Sequence, residues 1–230
     1  MAEPRLRDGD YWLLQPSYTL TPEQIADFEA ESFRERIENG WLACPYTAPK
    51  WVYLEWLAEH EKLLFHGSNK DDIARLEPRK PNDDSPDEFS KREAVFATSA
   101  PIWAMFYALV DRSQVGLRIL NGAFQVREAD TLSETHYFFS VTQTILDQGA
   151  WRGGTLYLLS VETFERQASY LWRGEETLEH QWASPATVDC VAKVRVEPHD
   201  FPFLDKVRGH DNAHVERRSA EEPYGFPWLE

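Results

Sequence analysis

Leu63-Leu64-Phe65-His66-Gly67-Ser68, then Val95-Phe96-Ala97-Thr98, then Pro101-Ile102-Trp103-Ala104-Met105-Phe106-Tyr107-Ala108-Leu109-Val110: these three stretches decide the fold class of the chain. The apolar run Leu63–His66, stopped by Gly67-Ser68, reads as a buried strand, and Ala94–Ala97 re-enters the core in the same way. Pro101 suits the first helical position, with Ser99 or Ala100 ahead of it as cap. The helix it opens is apolar all round, so it has to be covered on most sides.

Upstream, Thr21-Pro22-Glu23 combines a hydroxyl cap, a first-position proline and an early carboxylate, which starts a helix that Gly40 would stop. Ile25, Ala26, Ala30, Phe33 and Ile37 share one face of it. A second helix begins near Pro49, with Trp51, Leu54, Leu57 and Ala58 at helical spacing. Asn69–Glu93 is rich in Asp, Pro and Ser and is expected as a surface loop. Asn121-Gly122, between Val115–Leu120 and Ala123–Arg127, is the dipeptide that favours a type I′ hairpin. Tyr137–Phe139, Thr155–Leu159, His180–Ala183 and Val188–Val196 add strands.

The expected fold is therefore α+β with a mostly antiparallel sheet. Residues 1–60 form an N-terminal segment whose helices pack outside, 61–205 the central domain, and 206–230 a charged tail, mobile or draped on the surface. Tyr224, Phe226 and Trp228 are costly to leave in water, so the end of that tail is expected to dock on the domain or on a protein partner.

A chain of 230 residues with 42% hydrophobic content can bury one core without metal or disulfide staples. Its 39 Asp and Glu against 24 Lys and Arg give a net charge of −15, which repels nucleic acid and anionic lipid. Cys44 and Cys190 stand in unrelated contexts, so neither a zinc site nor a disulfide framework is indicated. The start Met-Ala-Glu-Pro-Arg carries no apolar signal core, and no apolar run nears the ~18 residues of a membrane helix, so a cytoplasmic protein is expected.

No glycine-rich phosphate loop, nucleophile elbow or HExxH box is present. The order of Phe65-His66-Gly67-Ser68, Val95-Phe96-Ala97-Thr98 and the aromatic-bearing helix instead resembles the ADP-ribosyltransferase superfamily, above all the rifamycin-modifying transferases and the poly-ADP-ribose polymerase catalytic domains. The resemblance spans roughly residues 63 to 204. It implies a split antiparallel sheet and NAD as substrate, with no metal. His66 would hydrogen-bond a ribose hydroxyl, and the backbone of Gly67 would bind the nicotinamide amide. Without a Cβ, Gly67 would let a planar ligand approach closely, and Ser68 would offer one more donor. The triplet also fits a core histidine bonded to a backbone carbonyl.

In the second motif the family's usual tyrosine falls on Val95, or on Phe96 if the register shifts by one, and neither carries a hydroxyl. Phe96 and Thr98 would border the ligand, and Phe106 and Tyr107 stand where the family places a ring that stacks on nicotinamide. All these aromatics also fit a plain core role. The third motif, a carboxylate just before an aromatic-led strand, lands on Gln181 ahead of Trp182. Glu179, two residues earlier, would share its face on one strand. A rifamycin-type pattern would point to Glu165 instead. A carboxylate matters because breaking the nicotinamide bond builds positive charge on the ribose.

The implied activity is mono-ADP-ribosyl transfer to an acceptor that is a protein or small molecule rather than nucleic acid. NAD hydrolysis and a catalytically silent NAD sensor or binding module are the alternatives.

Overall fold

The computed structural model describes residues 11–81 and 87–229; the Met-Ala-Glu-Pro-Arg start and part of the Asn69–Glu93 loop lie outside the described residues. The chain begins with β1 (Leu13–Leu14), α1 (Pro22–Glu29), β2 (Ile37–Glu38), β3 (Trp41–Leu42), α2 (Lys50–Glu61), β4 (Leu63–Ser68), β5 (Arg75–Leu76), β6 (Val95–Thr98) and α3 (Pro101–Leu109). It continues with β7 (Ile119–Glu128), β8 (Thr131–Leu132), β9 (His136–Thr142), α4 (Gln143–Gln148), β10 (Gly154–Ser160), β11 (Glu165–Arg166), β12 (Tyr170–Trp172) and β13 (Glu175–Glu179). Last come β14 (Gln181–Ser184), β15 (Val188–Asp189), β16 (Ala192–Val196), β17 (Arg208–His210) and α5 (Asn212–Glu221).

This is a mixed α+β fold of mostly antiparallel sheets. The first sheet runs β1-β9-β7-β13-β12, with β17 parallel to β9 and β8 on β7. The second runs β11-β14-β6-β4-β10-β16-β3-β2, antiparallel except between β16 and β3. The apolar helix α3 packs between them. Phe106 is fully buried with its ring 4.8 Å from that of Phe139 in the first sheet, and on the other side the helix backbone lies directly on β4 and β10 of the second. That approach is possible because two glycines face it. A Cβ on Gly67 would collide with the Ala104 carbonyl, and one on Gly154 with the Ala108 carbonyl. The freedom expected of Gly67 is thus used by the helix and not by a ligand.

Thr21 closes a capping box with Gln24, as its sequence context indicates, but α1 ends at Glu29. The chain then turns into β2, and Asn39 and Gly40, both at positive φ (50° and 80°), make the two-residue hairpin to β3. Asn121-Gly122 corrects the expectation set by its composition. It lies inside the continuous strand β7, paired with Phe139 and Phe138 of β9, and Gly122 has no positive φ. The Asn121 carboxamide oxygen accepts from the Trp103 indole at 2.6 Å, which ties β7 to α3 and leaves this dipeptide no freedom to turn.

The N-terminal segment contributes more than outer helices. Its strands extend both sheets, and Tyr53, Leu54 and Leu57 of α2 are fully buried in the main core. The charged tail is ordered too. β17 joins β9, α5 is capped by the Asp211 side chain, and Trp228 is buried with Leu120, Phe138 and Val215. Among the described residues no helix is long and apolar enough to cross a membrane.

Candidate functional site

The three motif strands, far apart in sequence, lie side by side as β14-β6-β4. β6 and β14 pair along Gln181↔Thr98 to Ser184↔Val95, whereas β4 meets β6 only at Phe65↔Thr98. Beyond that single pair the two strands are joined by a side chain. His66 Nδ1 lies 2.8 Å from the Phe96 carbonyl. A carbonyl only accepts, so Nδ1 carries the proton and Nε2 keeps a lone pair, for which no hydrogen bond occurs among the described residues. Burial lowers the pKa of the ring and holds it neutral.

A cavity of about 1370 Å³ is lined by residues of both sheets, of α3 and of the tail. Trp103 and Tyr107 of α3, Gln181 of β14 and Asn121 of β7, which faces Trp103, line one part of it; Gly122 and Phe124 of β7 with Tyr170 and Trp172 of β12 line another. Arg112 and Arg118 enter from the segment after α3, with the Arg112 guanidinium 5.0 Å from the Tyr107 ring centroid. The tail supplies a further wall through Tyr224, Phe226 and Trp228. Gly122 keeps this space open, since the nearest atom to a Cβ there would be a Phe226 ring carbon at 3.9 Å.

The acidic corner departs from a one-strand arrangement. Glu179 ends β13 in the first sheet and Gln181 begins β14 in the second, so they reach the same cavity from different sheets. The crossing residue is His180. Its Nδ1 lies 3.0 Å from the Ser99 hydroxyl and its Nε2 3.1 Å from that of Thr135, while its backbone bonds Ala123 and Ser99. Burial, helped by the Arg166 charge, pushes its pKa down to about 4, so it pins the sheets as a neutral ring. Glu179 accepts from the Tyr170 hydroxyl at 2.5 Å. Burial and then that carboxylate raise the Tyr170 pKa. Gln181 contacts Ser90, whose hydroxyl lies 2.7 Å from the Asp87 carboxylate.

Of the expected residues, Tyr107, Glu179 and Gln181 line the cavity. His66 meets Phe96 at the parting of β4 and β6, yet alternation turns its side chain away from α3, toward the face where Leu64 packs with Val95 and Tyr157. Gly67 lies under Tyr107, whose Cβ would be 3.0 Å from a Cβ at that position. Ser68 Oγ accepts from the Lys70 amide, and Thr98 Oγ1 from that of Ala100. Phe106 is enclosed by Phe139, Trp151 and Phe201, and is therefore a core ring and not a stacking platform. Glu165 sits on the exposed edge strand β11, paired with Arg92 at 2.9 Å.

Asp87, Ser90, Trp103, Asn121, Arg112 and Arg118 were not legible as site residues. The local signal for the first pair is the Asp-x-x-Ser spacing, which lets Asp87 cap the turn through the Phe89 and Ser90 amides. Nothing local distinguishes the others. Among the described residues no group of three or more His, Cys, Asp or Glu side chains is placed to hold a metal ion.

Fold and site together define an α+β protein of mostly antiparallel sheets, with an aromatic, partly acidic cleft lined by residues of both sheets. Comparison of the chain with protein-family models, curated proteins and solved structures finds no match.

Proposed function

We propose that the chain binds NAD in this cleft and transfers its ADP-ribose to an acceptor, a protein or small molecule, with release of nicotinamide. The observation that carries the reading is the adjacency of β14, β6 and β4, which sets the His-Gly-Ser, Val-Phe-Ala and Gln181 segments side by side and parts the sheet at His66, with Glu179 reaching the same cavity from β13. In this reading the architecture is the split sheet of the ADP-ribosyltransferases. His66 Nε2, on the face of β4 turned from α3, accepts from a ribose hydroxyl that reaches it through the parting of β4 and β6, and Tyr107 stacks on the nicotinamide from the cleft side, worth ~1 kcal/mol beyond area burial. Arg112 and Arg118 attract the pyrophosphate.

The bond from ribose C1′ to the nicotinamide nitrogen breaks with its electron pair leaving on nicotinamide. The acceptor then bonds to C1′ and releases its proton to solvent. Glu179 lends negative charge to the cationic ribose between these events. Gln181 orients the sugar without charge.

One observation favours a second reading, a silent NAD sensor or binding module: the position that carries a carboxylate in the resembling enzymes is Gln181 here. Isotope-labelled NAD incubated with the protein and a lysate separates the readings. Label on a protein or small molecule supports transfer, and free ADP-ribose alone indicates hydrolysis. Binding without turnover indicates the sensor, and no binding at millimolar NAD in calorimetry overturns the NAD reading altogether.

A further inference from the structure

The corner between the Asp87 turn and β14 contains one proton too few for its contacts. Ser90 is 7% exposed, and its hydroxyl oxygen lies 2.7 Å from Asp87 Oδ2 and 3.1 Å from Gln181 Oε1. A hydroxyl has a single hydrogen to donate. The Asp87 carboxylate also receives the Phe89 amide at 3.1 Å, the Ser90 amide at 3.0 Å and the Gln167 carboxamide at 3.0 Å. With these donors converging on it, Asp87 acts as acceptor only, and the shorter, charge-assisted bond takes the Ser90 proton. Ser90 Oγ then faces Gln181 with a lone pair. An amide oxygen opposite that lone pair would leave two acceptors 3.1 Å apart with no hydrogen between them. Rotating the carboxamide by half a turn exchanges its near-isosteric oxygen and nitrogen and removes the conflict.

We infer that Gln181 turns its amino group toward Ser90 and its carbonyl oxygen into the cleft, and that Asp87, acting through Ser90, sets this orientation. The outward amide atom is neither buried nor hydrogen-bonded among the described residues, and Gln181 lines the cavity, so its oxygen is presented to a ligand. The cleft thereby offers at this point a neutral acceptor for a hydroxyl donor, chemistry that suits a sugar hydroxyl. This extends the NAD reading, on which the identity of that hydroxyl rests; the orientation itself does not depend on it. It also explains the residue type. A glutamate here would share one Ser90 proton with Asp87, and two carboxylates across a single hydroxyl repel.

The orientation is tested on the free protein by NMR with ¹⁵N-labelled glutamine side chains, the Gln181 signal being assigned by its loss in Gln181→Met. The expected result is a slowly exchanging NH₂ with cross-relaxation to the Ser90 β-protons, both lost in Ser90→Ala and restored in Ser90→Thr. An NH₂ that exchanges as fast as an exposed glutamine, or shows no contact with Ser90, overturns the inference. The ligand arm uses NAD. Gln181→Met is expected to weaken binding roughly tenfold, and Gln181→Glu to bind with an affinity that changes with pH between 5 and 8, unlike the wild type. If NAD binds and Gln181→Met leaves affinity unchanged, the acceptor role is overturned. If wild-type NAD binding is absent while the NMR result holds, the NAD reading fails and the orientation stands.

Discussion

Replacing His66 by alanine removes two things that the structure keeps apart, one on each ring nitrogen. On the Nδ1 side the loss is the 2.8 Å bond to the Phe96 carbonyl, the side-chain tie where β4 and β6 part. Phe96 is half-buried, so water can reach part of the freed carbonyl and the cost falls at the low end for an unsatisfied acceptor, about 1 kcal/mol. A domain of this size would show it as a fall in Tm of roughly 2–4 °C. On the Nε2 side the loss is the lone pair assigned to a ribose hydroxyl, worth about 1–3 kcal/mol, a weakening of NAD binding of roughly 5- to 150-fold. Thermal melts and calorimetric NAD titrations on the same variant read both effects, and circular dichroism checks that the fold survives. If the Tm falls as expected while NAD affinity of the folded protein is unchanged, His66 is only a structural tie and the ribose-anchor reasoning is refuted.

Gly122→Leu places a side chain in the cleft from a strand position without positive φ, where a Cβ would meet only a Phe226 ring carbon at 3.9 Å. Melting should change little while NAD binding drops at least tenfold, and unaltered binding would show that the ligand does not use this cavity. Trp228→Ala should cost about 3–5 kcal/mol by denaturant unfolding, as expected for a large ring 6% exposed against Leu120, Phe138 and Val215; a loss under about 1 kcal/mol would mean that the tail is not part of the folded unit. Burial depresses His180 and His210 to about 4 in the folded chain. The unfolded chain therefore binds their protons first, and stability present above pH 6.5 is lost as pH falls toward 4, by up to about 3 kcal/mol for each. Glu55 has the opposite sign, because burial raises it to about 7 and stability is lost as pH rises from 4.5 toward that value. Glu55→Gln should therefore melt higher than the wild type at pH 8, with the gain gone at pH 4.5; an equal gain at both pH values would rule out proton linkage at Glu55.

Elements whose signals are local were legible in the sequence. Thr21 and Pro22 start α1, Pro101 starts an apolar helix that is buried on nearly all sides, and Leu63–His66 and Val95–Ala97 lie in core strands, because caps, fixed φ and apolar runs act over a few residues. It also marked Tyr107, Glu179 and Gln181, which line the cavity. How such local permissions are used depends on long-range packing. Asn39-Gly40 and Asn121-Gly122 carry the same dipeptide, yet the first turns at positive φ and the second runs straight through β7, because an indole from α3 and the full length of β9 hold it extended. The charged composition after Asp205 suggested a loose tail, but pairing with β9 and the burial of Trp228 order it. Gly67 read as a ligand's point of approach and is instead the seat of a helix backbone. Glu179 and Gln181, neighbours on paper, belong to different sheets because His180 between them bonds to both Ser99 and Thr135. Ser90 and Asp87 become part of the site only through a contact spanning 91 positions in the chain, and contacts of that range depend on the whole set of packed surfaces, which no short stretch of sequence encodes.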